Sequence, residues 1–381
     1  MRRTGRDHSV MSEPLILFLC GDVMSGRGID QVLPHPCDPR LYEPYVRDAR
    51  HYVELAERAN GPIPRPVDFS YVWGDAIAEL ERRVPDARII NLETAVTRSN
   101  DYWRNKGINY RMSPQNLPCL TAAGIHACAL ANNHVLDWGY TGLDETLQAL
   151  GEAKLKTAGA GRDVTQAAAP ALLQTRGTGR VIMFSFGLEN SGIPSRWSAA
   201  EDKPGINLLR DLTDATVRCI KEDVERVKRA GDIAVASIHW GSNWGYAINS
   251  EEREFARGLI DHAGIDVIHG HSSHHPRGIE VYRDKLILYG CGDFLDDYEG
   301  IGGYEEFRSD LVLMYFVSMD RRTGKLDDLQ MVPMQIKRFR LHRTSEADAR
   351  WLGERMTREC ARLGSSVELG ADNVLMLKWG L

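Results

Sequence analysis

The chain has 381 residues, enough for one large domain or two ordinary ones and for a sizeable core. Hydrophobic residues make up 43% and charged residues 26%, which is the balance of a soluble globular protein. A net charge of −6 excludes a global nucleic-acid footprint, and no apolar run approaches the roughly 18 residues of a membrane span.

Residues 1–13 read as a disordered tail, with Met11 an alternative start. Leu15–Cys20 (LILFLC) is too short for a signal peptide and reads as a first strand. Asp22 follows it in a glycine-bearing loop that also holds Arg27, and an acid just past a strand end can place a carboxylate on a metal. The loop lacks the Lys-Ser/Thr of a phosphate loop. Residues 34–66 are proline-rich with a helical centre over Tyr45–Ala59, and read as a surface insertion or lid. Phe69–Arg83 has helical spacing. Ala87–Leu92 is a strand that ends in Asn91-Leu92-Glu93, a second carboxylate at a strand end. The polar stretch from Asn100 to Met112, with Lys106 and Arg111, reads either as a cradle for an anionic substrate or as an exposed loop.

Ile125–Ala131 is a strand that runs into Asn132-Asn133-His134 and Asp137. A helix is expected over Thr141–Leu150, with Thr141 as N-cap. Asn133 offers a side-chain oxygen to a metal and His134 a proton to a leaving group, with Asp137 beside it. Val181–Phe186 is a strand, Leu212–Arg229 a charged amphipathic helix, and Ile233–Ile238 a strand that delivers His239. Trp240 and Asn243 follow and are expected to wall a pocket. Glu251–Gly264 is a helix. Asp266–Asp297 then carries four of the chain's 12 histidines: His269, His271, His274 and His275. Clustered imidazoles at a strand end are candidate ligands for Mn, Fe or Zn. Lys285–Tyr289 is a further strand. Leu311–Phe316 and Leu329–Ile336 are expected as edge strands, and Ser345–Leu363 as a terminal helix. Residues 14–341 are read as one domain and 342–381 as a helical extension. Seven dispersed cysteines without a C-x-x-C pair favour reduced thiols and a cytoplasmic setting.

Five strand ends thus each deliver a polar group. Two carboxylates, an amide and several imidazoles are the inventory of a site for one or two divalent metal ions. The order of the motifs resembles the CapA family of capsule and poly-γ-glutamate synthesis proteins, which is related to calcineurin-like metallophosphoesterases. The motifs are Gly-Asp-Val-Met from Gly21, Asn-Leu-Glu from Asn91, Ala-Asn-Asn-His from Ala131, His-Trp-Gly from His239, Gly-His-x-x-His from Gly270, and Tyr-Gly-x-Gly-Asp-Phe from Tyr289. They extend over about Leu15 to Asp310. The resemblance implies an α/β fold, a four-layer αββα sandwich. It implies metal at Asp22, Glu93, Asn133, His239, His271 and His274, with His134 protonating the leaving group. Arg27, Lys106 and Arg111 are then expected to hold substrate anions. The chain departs from the metallophosphoesterase pattern in its Gly-His-x-x-His spacing and in Glu93, which replaces the usual Asp. It departs from the broader family pattern at Asn243 and Asp293. The implied activity is hydrolysis of a phosphoester or a γ-glutamyl-type amide, on an anionic small molecule or polymer. A non-catalytic binding or assembly role in polymer synthesis is the alternative.

Overall fold

The computed structural model describes residues 13–177 and 179–380. The expected tail therefore lies outside the described residues, apart from Glu13. The principal strands are β1 (Leu15–Val23), β2 (Ala87–Leu92), β3 (Ala127–Ala129), β4 (Lys156–Ala158), β5 (Ala171–Gln174), β6 (Arg180–Gly187), β7 (Ile233–His239) and β8 (Val267–His271). They continue with β9 (Ile279–Tyr282), β10 (Lys285–Leu288), β11 (Asp293–Leu295), β12 (Leu311–Met319), β13 (Leu326–Lys337), β14 (Arg340–Arg343), β15 (Ser365–Leu369) and β16 (Leu375–Trp379).

Two mixed sheets form. The ten-stranded sheet runs β15-β16-β13-β12-β1-β2-β3-β4, with β11 added to β1 and β14 to β13. The six-stranded sheet runs β9-β10-β8-β7-β6-β5. Strand periodicity explains how they stack, because successive side chains point to opposite faces. Leu15, Leu17 and Leu19 of β1 meet Val181, Val235 and Val267 of the second sheet in a core between the sheets. Phe18, Cys20 and Ile90 point the other way, onto Trp73, Leu80 and Leu143 in and beside the helices Ala76–Arg83 and Gly139–Glu152. Ile182, Ala234, Ile238 and Ile268 likewise face the helices Asp214–Val227 and Ser250–Ala263. The layers are helix, sheet, sheet, helix: the four-layer αββα sandwich implied by the resemblance.

The local expectations differ from the structure in four places. Strands β12 and β13 are not at an edge. They pair with each other over nine residue pairs, and β12 pairs β1 on its other side, so both are apolar on two faces because both are covered. Residues from 342 onward are not only helical. After the helix Glu346–Ala361, β15 and β16 form a hairpin that closes the edge of the large sheet. The helix expected from Phe69 breaks at Gly74, whose φ of +46° lets the chain pass so close to the Leu341 carbonyl that a Cβ would lie 2.0 Å from it. Thr141 lies inside its helix, which begins at Gly139.

The inter-sheet core predicts a clear stability contrast. Leu17→Ala, at a fully buried position, is expected to cost about 2–5 kcal/mol. Leu172→Ala, on the exposed face of edge strand β5, is expected to cost well under about 1 kcal/mol. Urea denaturation midpoints of the two variants check this.

Candidate metal centre

The site is the polar continuation of the inter-sheet face. On β7, Ile233 and Val235 face the other sheet, and Ser237 and His239 follow at the same period. On β8, Val267 is followed by His269 and His271. The parallel register sets Ser237 beside His269 and His239 beside His271. On the facing sheet, β1 and β2 put Asp22 beside Asn91. Gly21 makes room here: a Cβ at that position would sit 1.7 Å from the Gly292 carbonyl, and its absence lets β11 bring Asp293 opposite Asp22.

Asp22, His239 and His271 form the centre. One potential ligand atom from each lies within 4.8 Å of the other two, and all three residues are buried. His239 Nδ1 is 2.8 Å from His271 Nδ1, and His271 Nδ1 is 3.9 Å from Asp22 Oδ1. Glu93 adjoins them, with Oε2 4.0 Å from His239 Nδ1. Asn133 Oδ1 is 3.1 Å from His239 Nε2 on the opposite side of that ring. The Asn91 side-chain amide donates to Asp22 at 2.7 Å and to Glu93 at 3.1 Å, bridging the two carboxylates.

The electrostatics of this cluster ask for a cation. Burial, then the neighbouring Asp293, pushes Asp22 up to about 7. Burial, then Asp22, raises Glu93 well above the usual carboxylate range. Burial holds His239 and His271 well below the ordinary imidazole value, so both are neutral and offer lone pairs. Carboxylate, imidazole and amide donors in a buried pocket fit a divalent first-row metal. Ser237 Oγ, 2.9 Å from His271 Nε2 and 3.1 Å from His269 Nδ1, orients the ring behind the site, and His269 Nε2 contacts the Cys20 carbonyl at 2.7 Å.

His134 faces this cluster from β3's side. Its Nε2 is 3.7 Å from Glu93 Oε1, and its Nδ1 is 2.6 Å from Asp137 Oδ2. Lys106 Nζ lies 2.7 Å from Asp137 Oδ1 and 3.0 Å from His134 Nδ1. The Tyr110 backbone N–H donates to Asp137 at 2.6 Å. Burial outweighs Asp137 and lowers His134 to about 4. Lys106 is thus inside the site, held by Asp137.

His274 stands apart from the three. Ser272 adopts φ +100°, a strained conformation for a residue with a side chain, and its N–H donates to Asp22 Oδ2 at 3.1 Å. That kink ends the strand periodicity and sends His274 to Asp293, 2.8 Å from its Nδ1. Burial alone would lower His274, but Asp293 outweighs it and raises the imidazole. Asn243 Nδ2 is 2.8 Å from His274 Nε2, so this exposed residue addresses a histidine.

Three expected substrate contacts are placed otherwise. The Arg27 guanidinium is buried and fully committed. It pairs with Asp297, donates to Glu43 and to Tyr52 at 3.1 Å each, and lies over the Tyr52 and Tyr110 rings. Arg111 donates to the Ser99 and Asp38 carbonyls and stacks on Trp138 at 3.8 Å, which fastens a loop. Trp240 follows His239 by one residue and so points to the opposite face, fully buried, with Nε1 donating to the Tyr289 carbonyl. The aromatics beside the site are Tyr110, 4.6 Å from the His134 ring, and Trp244 and Tyr298, 5.2 and 5.4 Å from the His274 ring. His269, a candidate ligand by its sequence, supports the site from behind instead, and the supporting roles of Asn91 and Ser237 are not read from the sequence. The only signal for them is their position two residues from an identified ligand on the same strand face, or its close equivalent.

With this geometry in place, the chain belongs to the bacterial capsule synthesis protein family PGA_cap, whose profile matches residues 16–298. Among its relatives, a probable polyglutamine synthesis accessory protein of Mycobacterium tuberculosis is 51% identical over 360 residues, covering 94% of each chain. The capsule biosynthesis protein CapA of Bacillus anthracis is 24% identical, over 86% of this chain and 68% of its own. The PGA biosynthesis protein CapA of Bacillus subtilis is 26% identical, over 81% and 68%. A solved structure of a Mycoplasma pneumoniae phosphatase aligns over 86% of this chain and 96% of its own, at 11% identity and a TM-score of 0.46. Among the described residues no helix is long and apolar enough to cross a membrane.

Two variants separate metal from scaffold. Adding Mn²⁺ or Zn²⁺ at about 100 times its Kd is expected to stabilise the wild type by about 2.7 kcal/mol, and His239→Ala should lose most of that gain. Thermal melts with and without metal, alongside metal content by mass spectrometry, test this. Arg27→Ala leaves buried Asp297 and Glu43 unpaired and is expected to cost about 3–5 kcal/mol in stability. An Arg27→Ala protein of wild-type stability would refute the structural assignment of that arginine.

Proposed function

We propose that the chain is a metal-dependent hydrolase that cleaves a phosphoester or a γ-glutamyl-type amide in poly-glutamate or capsule-like polymer metabolism. The observation that carries this reading is the convergence of Asp22, His239 and His271, with the Lys106–Asp137–His134 relay aimed at the same point across Glu93. The polymer context is supported by family membership and by the relatives' names. Asp22, His239 and His271 would hold one divalent ion of Mn, Fe or Zn. Glu93 and Asn133, with His239 between them, are the donors for a second. When bound, the metal supplies a Lewis acid that makes water a nucleophile near neutral pH and offsets developing negative charge.

The chain's own residues do the rest. Asp137 accepts from His134 Nδ1 and fixes the ring, so Nε2 is the nitrogen turned to the reacting side. Hydrolysis adds water across the scissile bond: the Nε2 lone pair of neutral His134 takes a proton from the attacking water and passes it to the departing alcohol or amine. Lys106 anchors Asp137 and brings positive charge to an otherwise acidic pocket, which suits an anionic substrate.

One observation favours a second reading, a binding or assembly protein without turnover. His274 is held by Asp293 and Asn243 rather than turned to the metal centre. The test uses wild type and His134→Ala, each loaded with Mn²⁺, against bis-p-nitrophenyl phosphate and γ-glutamyl-p-nitroanilide. The hydrolase reading expects His134→Ala to lose about 10²–10⁴-fold in kcat with its metal content unchanged. Wild-type rates in the variant would sink it. No turnover with any of Mn, Fe or Zn, together with tight binding of poly-γ-glutamate, would establish the second reading.

A further inference from the structure

A cavity of about 770 Å³ is lined in part by His274, Asp296 and Tyr298, and His274 bonds to Asp293, which lies opposite Asp22 in the β1–β11 pair. Its size suits a small-molecule site. Its walls come from several separate parts of the chain, among them Leu55 of the helix Arg50–Asn60, Ile108 of the loop that carries Lys106, Ile336 of β13, and Ile301 and Tyr304 after β11. Trp244 stacks on Tyr304 at 4.0 Å with nearly parallel rings, so one continuous aromatic wall runs from His274 outward. On the other side, Lys106 Nζ donates to the Ile108 carbonyl at 3.2 Å, which ties the cavity wall to the His134 relay.

The wall's character is apolar. Of the eight large hydrophobic side chains that stand exposed among the described residues, four line this one cavity: Tyr45, Ile108, Ile301 and Tyr304. A surface normally scatters such residues singly, and their collection around one opening marks a binding site. The principal charged groups of the wall are already satisfied internally. Glu299 accepts from the Asn60 side chain and from the Arg338 and Phe339 backbone, Asp310 accepts from Arg308 and Gln335, and Arg27 is held by Asp297 and Glu43. Lys337 and Asp296 add charge at the wall, and most of the rest that faces a ligand is hydrophobic and aromatic surface.

We infer that this cavity binds an apolar part of the substrate, an alkyl or aryl group attached to the anionic ester or amide that reaches the metal centre. The inference rests on the hydrolase reading for the anionic end only. It narrows the substrate class to amphiphiles: a phosphoester of an apolar alcohol, or a γ-glutamyl amide of an apolar amine. A chain bearing a carboxylate at every unit would set charge against an apolar wall and is not the ligand of this cavity.

The experiment is a calorimetric titration of the Mn²⁺-loaded protein with inorganic phosphate, with ethyl, butyl, hexyl and octyl phosphate, and with the matching n-alkanols. The probe variants are Ile301→Ser and Tyr304→Ser. These side chains are 49% and 48% exposed, so their removal leaves the core intact. Affinity is expected to rise at least about tenfold from ethyl to hexyl phosphate in the wild type, and the double variant should flatten the series. Phosphate binding with a flat wild-type series, or with a rise that the double variant keeps, overturns the inference and leaves the hydrolase reading standing. No phosphate binding, with alkanol affinity that rises with length and flattens in the variant, upholds the cavity and removes the anionic site. No binding of either kind overturns both.

Discussion

Two carboxylates buried side by side dominate the energetics of this molecule. Asp22 and Glu93 reach the same point from adjacent strands, share one Asn91 amide, and have Asp293 close behind. Removing such charges from water costs several kcal/mol per ion unless a cation or a proton compensates. The fold makes room for that cost rather than avoiding it. Gly21 permits the close approach of β11, Ser272 accepts an unfavourable backbone angle to donate to Asp22, and two neutral imidazoles stand ready with lone pairs. Each of these arrangements has a reason if a positive ion sits among them, and each is a liability otherwise.

The sandwich converts this chemical demand into a position. Where the inter-sheet core ends, the same alternation that set leucine and valine inward sets serine, histidine and asparagine inward. Small residues at the centre of the first sheet, Ala87, Ala127 and Ala129, keep the sheets close enough for Asn133 to meet His239 across the gap. Core and site are therefore one surface that changes from oil to donors at the carboxyl ends of the strands. Precision follows from this placement, because His239 and His271 are fixed by a parallel ladder rather than by loops.

Much of this was legible in the sequence. An apolar run ending in a lone polar residue reports both the strand and the placement of its last side chain. Asp22, Glu93, Asn133 and His239 could be found that way, and their chain order carried the family. What failed depended on direction or on distant partners. Trp240 sits next to a site residue in sequence and faces away from it in space. Arg27 and Arg111 look like free anion binders until Asp297, Glu43 and the Asp38 carbonyl are brought to them, and no local pattern announces those encounters. The edge strands were misjudged for a similar reason. Strands β12 and β13 carry apolar residues on both faces, which is a sign of interior position, and the strands that flank them come from distant parts of the chain. The Gly-His-x-x-His motif groups His274 with His271, and a single backbone angle at Ser272 sends His274 to Asp293.

The buried arginine has a further consequence for traffic through the molecule. Arg27 opens the short helix Arg27–Val32 after β1, Glu43 and Tyr52 belong to the proline-rich stretch, and Asp297 to the segment that follows β11. One guanidinium thus rivets the proline-rich stretch to the chamber wall. A hinged flap would have to break an ion pair buried on both sides at every opening. The stretch is thereby fastened as a fixed wall, and the cavity lined by Trp244 and Tyr304 lies open beside it.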